Sequence, residues 1–337
     1  MEIKKIPFGC RFIGPDEPVV VIAEIGINHE GDVDVCAQMI EEAVACGVDA
    51  VKLQTVDVDE NYVKGSESYD IFSKAVLSQA DTEKMFNLAK GKGVEVLTTC
   101  GDYSTLEWVD KLSPAAHKFS SGLLGHLPLL DKAKKTGKTL LLSTGMALQA
   151  DIDAAVEKLA GYSYAIFQCT SLYPAPLESL NLAFMKTMSE QYQVPVGFSD
   201  HSLGTEAAFL AVGAGACMIE KHFSLDPSRS GFDHHVSIDP KGLKALVDRV
   251  RLAEDIMGVP EKILAEAEVA NRDKYQRCLV ARYDLEAGHV LVAEDLNVMR
   301  VLPDQSGLLP ADYEKVIGVV LARAVEKHTP FNQDMFA

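Results

Sequence analysis

The stretch VPVGFSDHSLGTEAAFLAVGAGACMIEKH, residues 194–222, contains two short apolar segments that each lead into a histidine, His201 and His222. Residues 194–198 and 217–219 have the length and apolar character of buried parallel strands, and the small residues between them are typical of a crossover helix. Polar residues that follow such strands meet at one edge of an α/β sheet, where these folds place their chemistry. Two imidazoles there predict a site for one divalent metal, with open positions for water and substrate. The alternative is that both are hydrogen-bonded core or rim histidines.

Further apolar segments upstream repeat this rhythm of strand and helix. The predicted strands are residues 19–25, 49–54, 94–98, 116–119, 139–142, 164–168, 194–198 and 217–219. Eight strands alternating with amphipathic segments over about 255 residues are typical of a (β/α)8 barrel, the TIM-barrel form of the α/β class. A doubly wound open sheet is the alternative. No Gly-x-Gly-x-x-Gly follows the first strand, so the sequence does not support a dinucleotide site.

The character of the sequence changes after the predicted barrel. We assign residues 1–260 to the barrel and the acidic, alanine-rich residues 261–275 to a helical linker. Residues 276–337 contain short alternating strands and turns, which predicts a second, small domain. About 60 residues bury too little apolar surface for a large core, so we expect this domain to pack against another part of the protein.

The composition is that of an ordinary globular protein and argues against several classes of function. The chain has 32 basic and 49 acidic residues, a net charge of −17, which disfavours binding to nucleic acid or to an anionic membrane surface. Its longest apolar run, residues 207–219, has about 13 residues and is too short to span a bilayer. The first residues lack the apolar core of a signal peptide. Seven cysteines without a C-x-x-C pair suit a reducing compartment, so we expect a cytoplasmic protein.

The predicted strand ends bring cations and hydroxyl groups to one mouth of the barrel. Lys52 and Lys118, with the hydroxyls of Ser121, Ser143 and Ser199, would form a donor-rich pocket suited to a phosphate group. The alternative for each lysine is a solvated position on the rim.

Two carboxylates are the best candidates for acid–base or orienting roles. Glu24 and Asp233 each lie close to a glycine in a polar turn at the predicted mouth, where a carboxylate can reach a substrate. The alternative for each is a plain turn or salt-bridge residue.

Several motifs, in chain order, resemble those of the sialic acid synthases. They are EIGINHEG (24–31), VKLQ (51–54), KFSSG (118–122), LSTGM (142–146), CTSLYPAP (169–176), GFSDHSLG (197–204) and EKHFSLD (220–226). The segment after residue 276 looks like the antifreeze-like (SAF) domain of that family, a small β-clip fold. The resemblance covers nearly the whole chain and is more specific for the family than for the substrate.

The resemblance implies a reaction and a cofactor. The family condenses phosphoenolpyruvate with an N-acylated hexosamine, or its 6-phosphate, to a nine-carbon (nonulosonic) 2-keto acid and phosphate, for surface polysaccharides. By this resemblance His201 and His222 bind a divalent metal, usually manganese with magnesium as the alternative, which polarises the sugar aldehyde.

The resemblance also divides the site residues between the two substrates. Tyr173 and Asp233 would position the sugar. Arg300 would reach the site from the C-terminal domain of a second subunit, so the expected assembly is a domain-swapped homodimer. Glu24, Lys52 and Asp233 are the expected catalytic residues. The phosphoenolpyruvate would be held by Lys118, Ser121 and Ser143, with the substrate-binding residues Lys52 and Ser199 nearby.

One departure from the family falls inside the expected site. The family usually has an acidic residue directly after Ser-Gly in the loop of the fourth strand, near the metal and the attacking water, and this chain has Leu123. A leucine carries no charge and cannot orient water. Either Glu24, Asp102 or Asp233 takes the role, or the protein is a catalytically silent paralogue that still binds sugar or phosphoenolpyruvate.

A second departure follows Arg300. The family commonly has Pro-Gly-x-Gly there, and this chain has VLPDQSG at residues 301–307. We therefore expect the arginine to be presented by a loop of different shape.

Overall fold

The computed structural model describes residues 3–302 and 304–337. The strands are β1 Ile6–Phe8, β2 Arg11–Ile13, β3 Val20–Gly26, β4 Ala50–Thr55, β5 Glu95–Cys100, β6 His117–Phe119, β7 Leu140–Ser143, β8 Tyr164–Cys169, β9 Val196–Asp200, β10 Met218–His222, β11 Arg277–Ala281 and β12 Leu296–Arg300. The helices are α1 Val33–Ala45, α2 Val58–Asn61, α3 Glu67–Ala75, α4 Gln79–Gly91, α5 Tyr103–Lys111, α6 Leu127–Lys134, α7 Gln149–Lys158, α8 Ala183–Tyr192, α9 Glu206–Gly213, α10 Pro240–Met257, α11 Glu266–Tyr275 and α12 Tyr313–Val316. The chain divides into two compact units, the first ending at Gly258 and the second beginning at Val259.

The first unit is a closed parallel barrel. Strands β3 to β10 pair in chain order, and β10 pairs with both β9 and β3, which closes the ring. This confirms the predicted (β/α)8 barrel and rules out the open doubly wound sheet. Closure leaves no sheet edge, and it directs alternate side chains of each strand to the barrel interior.

The alternation along β10 shows how a strand serves both the core and the mouth. Met218 packs with the apolar residues that fill the lower barrel interior, and Ile219 packs in the outer core between barrel and helices. Because side chains alternate along a strand, Glu220 and His222 share the interior side with Met218. They lie nearer the carboxyl end of the strand, so they line the mouth instead of the core.

A short N-terminal hairpin covers the opposite end of the barrel. Strands β1 and β2 pair antiparallel, and Phe8 and Ile13 join the apolar cluster of the lower interior. The backbone of Gly9 donates a hydrogen bond to the Ala115 carbonyl at 3.1 Å. Strands of three residues are too short for an alternating pattern to be recognised, so the sequence does not predict this hairpin.

Two helices, α2 and α3, occupy the connection between β4 and α4, where no element was predicted. The side chains of Asp57 and Ser66 cap their N-termini, accepting hydrogen bonds from backbone amides of the first turn. The side chains of Tyr62 and Phe72 from this connection contact each other, with ring centroids 4.9 Å apart. Both rings line the cavity described below.

The second unit contains the antiparallel pair β11 and β12. Its core includes Leu279, Leu291, Leu321 and Phe331, which are fully or almost fully buried. Helix α11 lies within the residues predicted to form a helical linker. In the described part of the chain, no helix combines the length and the hydropathy needed to cross a membrane.

A buried ion pair connects the two histidine-bearing strands of the barrel. The Lys221 ammonium lies 2.8 Å from an Asp200 carboxylate oxygen, and both side chains are completely buried. The other oxygen of Asp200 accepts hydrogen bonds from the amide and hydroxyl of Ser202. Lys221 also donates to the Ser202 carbonyl. The pair therefore holds β9 against β10 directly beside His201 and His222.

We expect Lys221→Met to lower the free energy of unfolding by about 3–5 kcal/mol, because it leaves the Asp200 carboxylate buried without its partner. Urea denaturation followed by circular dichroism measures the change. Lys186→Met is the matched control, since Lys186 forms an exposed pair with Glu190 at 3.7 Å and such pairs contribute about 0–1 kcal/mol. Equal effects of the two substitutions would contradict a structural role for the buried pair.

Candidate active site

A cavity of about 590 Å³ opens at the carboxyl ends of the barrel strands. Side chains from both halves of the ring of strands reach it. Every barrel residue predicted for the site lines it, namely Glu24, Lys52, Lys118, Ser121, Ser143, Tyr173, Ser199, His201, His222 and Asp233.

An ion network forms the floor of the cavity. The Lys52 ammonium lies 3.1 Å from Glu24 and 3.0 Å from Glu220, and the Lys118 ammonium lies 3.0 Å from the other oxygen of Glu220. The Ser199 hydroxyl donates to Glu220 at 2.9 Å. All five side chains are buried, so each charge depends on its neighbours instead of on water.

The network shifts the pKa values of its two carboxyl groups in opposite directions. Burial raises the pKa of Glu24, and the nearby Lys52 only partly offsets this. Burial acts in the same direction on Glu220, but Lys118 and Lys52 together outweigh it and hold the pKa of Glu220 well below its usual range. Glu220 is therefore the permanent negative charge to which both ammonium groups are attached.

Besides Glu24 Oε2, which faces the Lys52 ammonium, three buried polar atoms around the cavity have no hydrogen-bond partner within the described structure. They are Thr99 Oγ1, Ser143 Oγ and His222 Nδ1, and all three residues line the cavity. Buried polar groups are almost always paired in folded proteins. Three in one cavity indicate that a polar ligand completes their hydrogen bonding.

The two imidazoles predicted as metal ligands are neighbours on the cavity wall. The ring centroids of His201 and His222 are 5.4 Å apart. His201 Nδ1 lies 2.8 Å from the Thr170 carbonyl, so this nitrogen carries the proton and Nε2 is the nitrogen that accepts. Nε2 lies 3.2 Å from the Tyr173 hydroxyl. Burial lowers the pKa of His222 well below its usual range, which keeps that ring neutral.

These features fit a divalent metal held by two histidines. A neutral imidazole with an unpaired nitrogen is a metal ligand, and a hydrogen bond to the other nitrogen is its usual support. Within residues 3–302 and 304–337, no group of three or more His, Cys, Asp or Glu side chains is arranged to hold a metal. A metal here would therefore take its remaining ligands from water or substrate.

Asp233 is held at the cavity by a buried asparagine. Asn28 Oδ1 accepts the Asp233 backbone amide at 3.0 Å, and Asn28 Nδ2 donates to the Phe223 carbonyl at 3.0 Å and to Ser237 Oγ at 2.9 Å. Asn28 thereby ties the loop after β10 to the loop after β3. The Asp233 carboxylate lies 3.8 Å from His222 Nδ1.

A second set of contacts supports the same two loops. The buried His234 lies 2.7 Å from Ser224 Oγ through Nδ1 and 3.0 Å from Glu30 through Nε2. Arg229 forms an ion pair with the same Glu30 oxygen at 2.7 Å. His234 was not among the residues predicted for the site, because a histidine in a polar stretch shows no sign of burial until the loops are placed.

Gly145 allows three loops to meet beside the phosphate-type donors. A Cβ atom at this position would lie 2.2 Å from Ser171 Oγ and 2.7 Å from Ser121 Oγ. A side chain here would therefore force both serine hydroxyls to move. The glycine of the LSTGM motif keeps Ser121, Ser143 and Cys169 around one space.

Leu123 lines the cavity, whereas Asp102 caps the N-terminus of α5. Leu123 is half-buried and lines the cavity. The Asp102 carboxylate accepts hydrogen bonds from Thr105 N and Oγ1, Asp57 N and Asn61 Nδ2. With its oxygens occupied in this way, Asp102 is a structural cap of α5. Glu24 and Asp233 are the remaining carboxylates among the three named as substitutes for the missing acid.

Arg300 belongs to the second compact unit. It ends β12, where its guanidinium lies 4.7 Å from the centre of the Tyr275 ring. In the segment that replaces the family's Pro-Gly-x-Gly, Pro303 lies outside the described residues, and the expected difference in loop shape stays a prediction.

Sequence reasoning assigned no role to Glu220, which forms the centre of the network. The signal was present in the spacing, because Glu220 precedes the proposed ligand His222 by two residues in a strand and so faces the same side. Thr99 was also not predicted for the site. A threonine in an apolar strand gives no indication that its hydroxyl lacks a partner.

The closed barrel and its polar cavity define a TIM-barrel protein with a ligand site at the carboxyl ends of the strands. A model of the NeuB family matches residues 39–262, and a model of the SAF domain matches residues 276–337. The chain therefore belongs to the NeuB family and carries a C-terminal SAF domain, which confirms the resemblance to sialic acid synthases.

Individual relatives cover most of the chain. The N,N'-diacetyllegionaminic acid synthase of Legionella pneumophila is 33% identical over 331 residues, 92% of each chain. An uncharacterized protein of Methanocaldococcus jannaschii, MJ1065, is 36% identical over 301 residues, 88% of this chain and 89% of the relative. The crystal structure of the N-acetylneuraminic acid synthetase of Leptospira borgpetersenii superposes with a TM-score of 0.76 at 29% identity, covering 80% of this chain and 96% of that one.

We expect Asn28→Leu to destabilise the barrel by about 2–4 kcal/mol, because the Asp233 amide, the Phe223 carbonyl and Ser237 lose a buried partner. Hydrogen exchange should show faster exchange in residues 223–238 than in α6. Asn271→Leu, at an exposed position of α11, is the control. Unchanged exchange in residues 223–238 would show that Asn28 does not hold this loop.

Proposed function

We propose that this protein condenses phosphoenolpyruvate with an N-acylated hexosamine to give a nonulosonic 2-keto acid and phosphate. The observation that carries the proposal is the convergence, in one cavity, of an ammonium-rich floor, polar atoms without partners and a pair of histidines. Membership of a family whose named relatives are nonulosonic acid synthases supports it. The named product of the Legionella relative supports a sugar that carries acetyl groups.

Phosphoenolpyruvate would bind at the floor of the cavity. Lys52 and Lys118 offer positive charge to its phosphate and carboxylate. The hydroxyls of Ser121, Ser143 and Ser199 supply further donors, and Ser143 has no competing partner within the described structure. Glu220 keeps both lysines aimed into the cavity when the substrate is absent.

The acceptor sugar would bind above it, nearer to the histidines. His201 and His222 would hold a divalent metal, with manganese first and magnesium as the alternative, and when bound the metal would act as a Lewis acid on the sugar aldehyde. Tyr173 stacks on His201 with ring centroids 4.2 Å apart, so its hydroxyl is fixed where it can orient the aldehyde end. Asp233, held by Asn28, would position the sugar hydroxyls.

The reaction would form one carbon–carbon bond and break one carbon–oxygen bond. The methylene carbon of phosphoenolpyruvate attacks the aldehyde carbon, whose oxygen becomes a hydroxyl. Water adds to C2, and loss of phosphate from C2 with cleavage of its C–O bond leaves the 2-keto acid. Glu24 is the candidate to accept the proton of this water, since burial raises its pKa to about 7 and its carboxylate can therefore take up and release a proton near neutral pH.

Leu123 supports a second candidate function. With a leucine where the family usually has an acid, a protein that binds phosphoenolpyruvate and sugar without turnover is the alternative. Phosphate release from phosphoenolpyruvate in the presence of manganese and N-acetylated hexosamines distinguishes the two. Release that requires the sugar supports the synthase, whereas binding of phosphoenolpyruvate without release under any condition supports the silent protein.

We expect His201→Ala and His222→Ala each to remove bound manganese and to lower kcat/KM at least about 100-fold, as is typical when a group that stabilises transition-state charge is lost. Metal content is measured by elemental analysis and turnover by phosphate release. His328→Asn, at an exposed position of the second unit, should change neither. Retention of metal and turnover in both alanine variants would refute the metal site.

The proposed assembly is a domain-swapped homodimer in which Arg300 of one subunit completes the site of the other. His222→Ala and Arg300→Ala would each be inactive alone. After the two are unfolded together and refolded, about half of the dimers would be mixed, and one of their two sites would be intact, so activity should return to about a quarter of the native value. No recovery from a verified mixed dimer would argue against the exchange of Arg300.

A further inference from the structure

We infer that Asp102 is a positioning residue, whose carboxylate anchors residues 56–74 at the cavity and thereby sets the affinity of the site for its substrates. The inference rests on the proposed function and adds a residue to it. Residues 56–74 lie between β4 and α4 and contain α2 and most of α3. They are called the entrance segment below.

The entrance segment forms part of the cavity wall. Four of its polar and aromatic residues line the cavity, namely Asn61, Tyr62, Ser68 and Phe72. A substrate that fills the cavity therefore contacts this segment. The position of the segment affects how tightly the substrate binds.

Packing does little to hold the entrance segment in place. None of its side chains, all of which the structure describes, is buried, whereas the flanking Thr55 and Ala75 are buried. Its Tyr69 hydroxyl donates to Asp59 at 3.0 Å, a bond within the segment itself. Segments with few buried contacts open at a low cost in free energy. The segment therefore needs a specific tie to the barrel.

Asp102 supplies this tie. Among the described residues, both hydrogen bonds that join the entrance segment to the rest of the barrel end on Asp102 Oδ2, from the Asp57 amide at 3.0 Å and from Asn61 Nδ2 at 2.8 Å. The Asp102 side chain is buried, and hydrogen bonds to a carboxylate are the stronger kind. Gly101 permits the approach, since a Cβ atom there would lie 1.8 Å from Asn61 Oδ1.

The two oxygens of Asp102 have different partners. Oδ1 accepts the Thr105 amide at 2.6 Å, which is the N-cap bond of α5. Oδ2 accepts the two bonds from the entrance segment and the Thr105 hydroxyl at 2.8 Å. An N-cap needs one acceptor oxygen, and asparagine serves as well as aspartate. Capping of α5 therefore does not account for the second oxygen, whereas anchoring of the segment does.

Loss of the anchor would weaken binding without changing the chemistry. When a site is competent in only one arrangement of a segment, the apparent Kd rises by the inverse of the fraction of molecules in that arrangement. Groups proposed to act on the substrates, such as Lys118 in β6 and His201 after β9, belong to other parts of the ring. KM should therefore rise while kcat stays nearly constant. A general loss of folded protein would instead lower kcat and leave KM unchanged.

Asp102→Asn separates the two tasks, because it keeps an acceptor for the Thr105 amide and turns an amide donor towards the donors of the segment. We expect KM for phosphoenolpyruvate to rise about 10-fold and kcat to stay within about twofold, measured by phosphate release with manganese and an acceptor that the native protein uses. Asp239→Asn, at the N-cap of α10, is the matched control and should change neither. A lower kcat with unchanged KM in Asp102→Asn would overturn the inference.

Asn61→Ala tests the same contact from the segment and leaves the cap of α5 intact, so it also serves if Asp102→Asn does not fold. We expect a smaller rise in KM, because the bond from the Asp57 amide remains. The double variant should be no worse than Asp102→Asn, since both changes remove one contact. Fully additive effects would contradict a contact shared by Asp102 and Asn61.

Hydrogen exchange and calorimetry test the anchor without turnover. In Asp102→Asn the amides of residues 56–74 should exchange about 10-fold faster than in the native protein, with α5 unchanged. Equal exchange in the two proteins would overturn the anchor. If no acceptor supports turnover, titration of phosphoenolpyruvate into manganese-loaded protein decides. About 10-fold weaker binding to Asp102→Asn supports the anchor although the synthase fails, and equal binding refutes it. Absence of binding to the native protein refutes both.

Discussion

The site depends on one buried charge, the carboxylate of Glu220, shared between two lysines. In the barrel interior an isolated ammonium group would lose its proton or draw in water, because desolvation opposes charge. Burial does lower the pKa of Lys118, whereas the carboxylates of Glu220 and Glu24 outweigh burial and raise the pKa of Lys52. Glu220 thus stabilises two ammonium groups at the floor of the cavity in a strongly acidic protein. There, a bound anion can replace some of the ion pairs of the network.

Barrel closure is the constraint that makes this network possible. Lys52 comes from β4, Lys118 from β6, Ser199 from β9 and Glu220 from β10, and in an open sheet of the same strands these positions would be spread along one edge. A ring brings them within hydrogen-bond distance across its centre. The buried pair of Lys221 and Asp200 faces the other way and holds β9 to β10, so the same two strands supply both the ligands and the bond that keeps them in register.

The loops that follow the strands differ in what they contribute to the cavity. The loops after β3 and β10 are tied together by Asn28 and His234, which places Asp233 on a rigid support beside His222. The loops after β4, β6 and β7 bring both apolar and polar side chains to the cavity, among them Tyr62, Ser68 and Leu123.

Much of the fold and of the candidate site could be predicted from the sequence alone. The rhythm of apolar segments predicted eight strands and a barrel, and the polar residues at the strand ends and in the following turns predicted nine of the cavity-lining residues, because strand length and side-chain alternation are local properties. The tenth, Tyr173, was expected only from the resemblance to the family. The hairpin β1–β2, the helices α2 and α3 and the burial of His234 were not predictable in this way, because short elements carry too little periodic signal and their stability comes from contacts made elsewhere. Nor does the sequence reveal which carboxylate pairs with which lysine, or that Leu123 faces the cavity instead of the solvent. Those facts depend on distances between residues far apart in the chain, which exist only once the ring has closed.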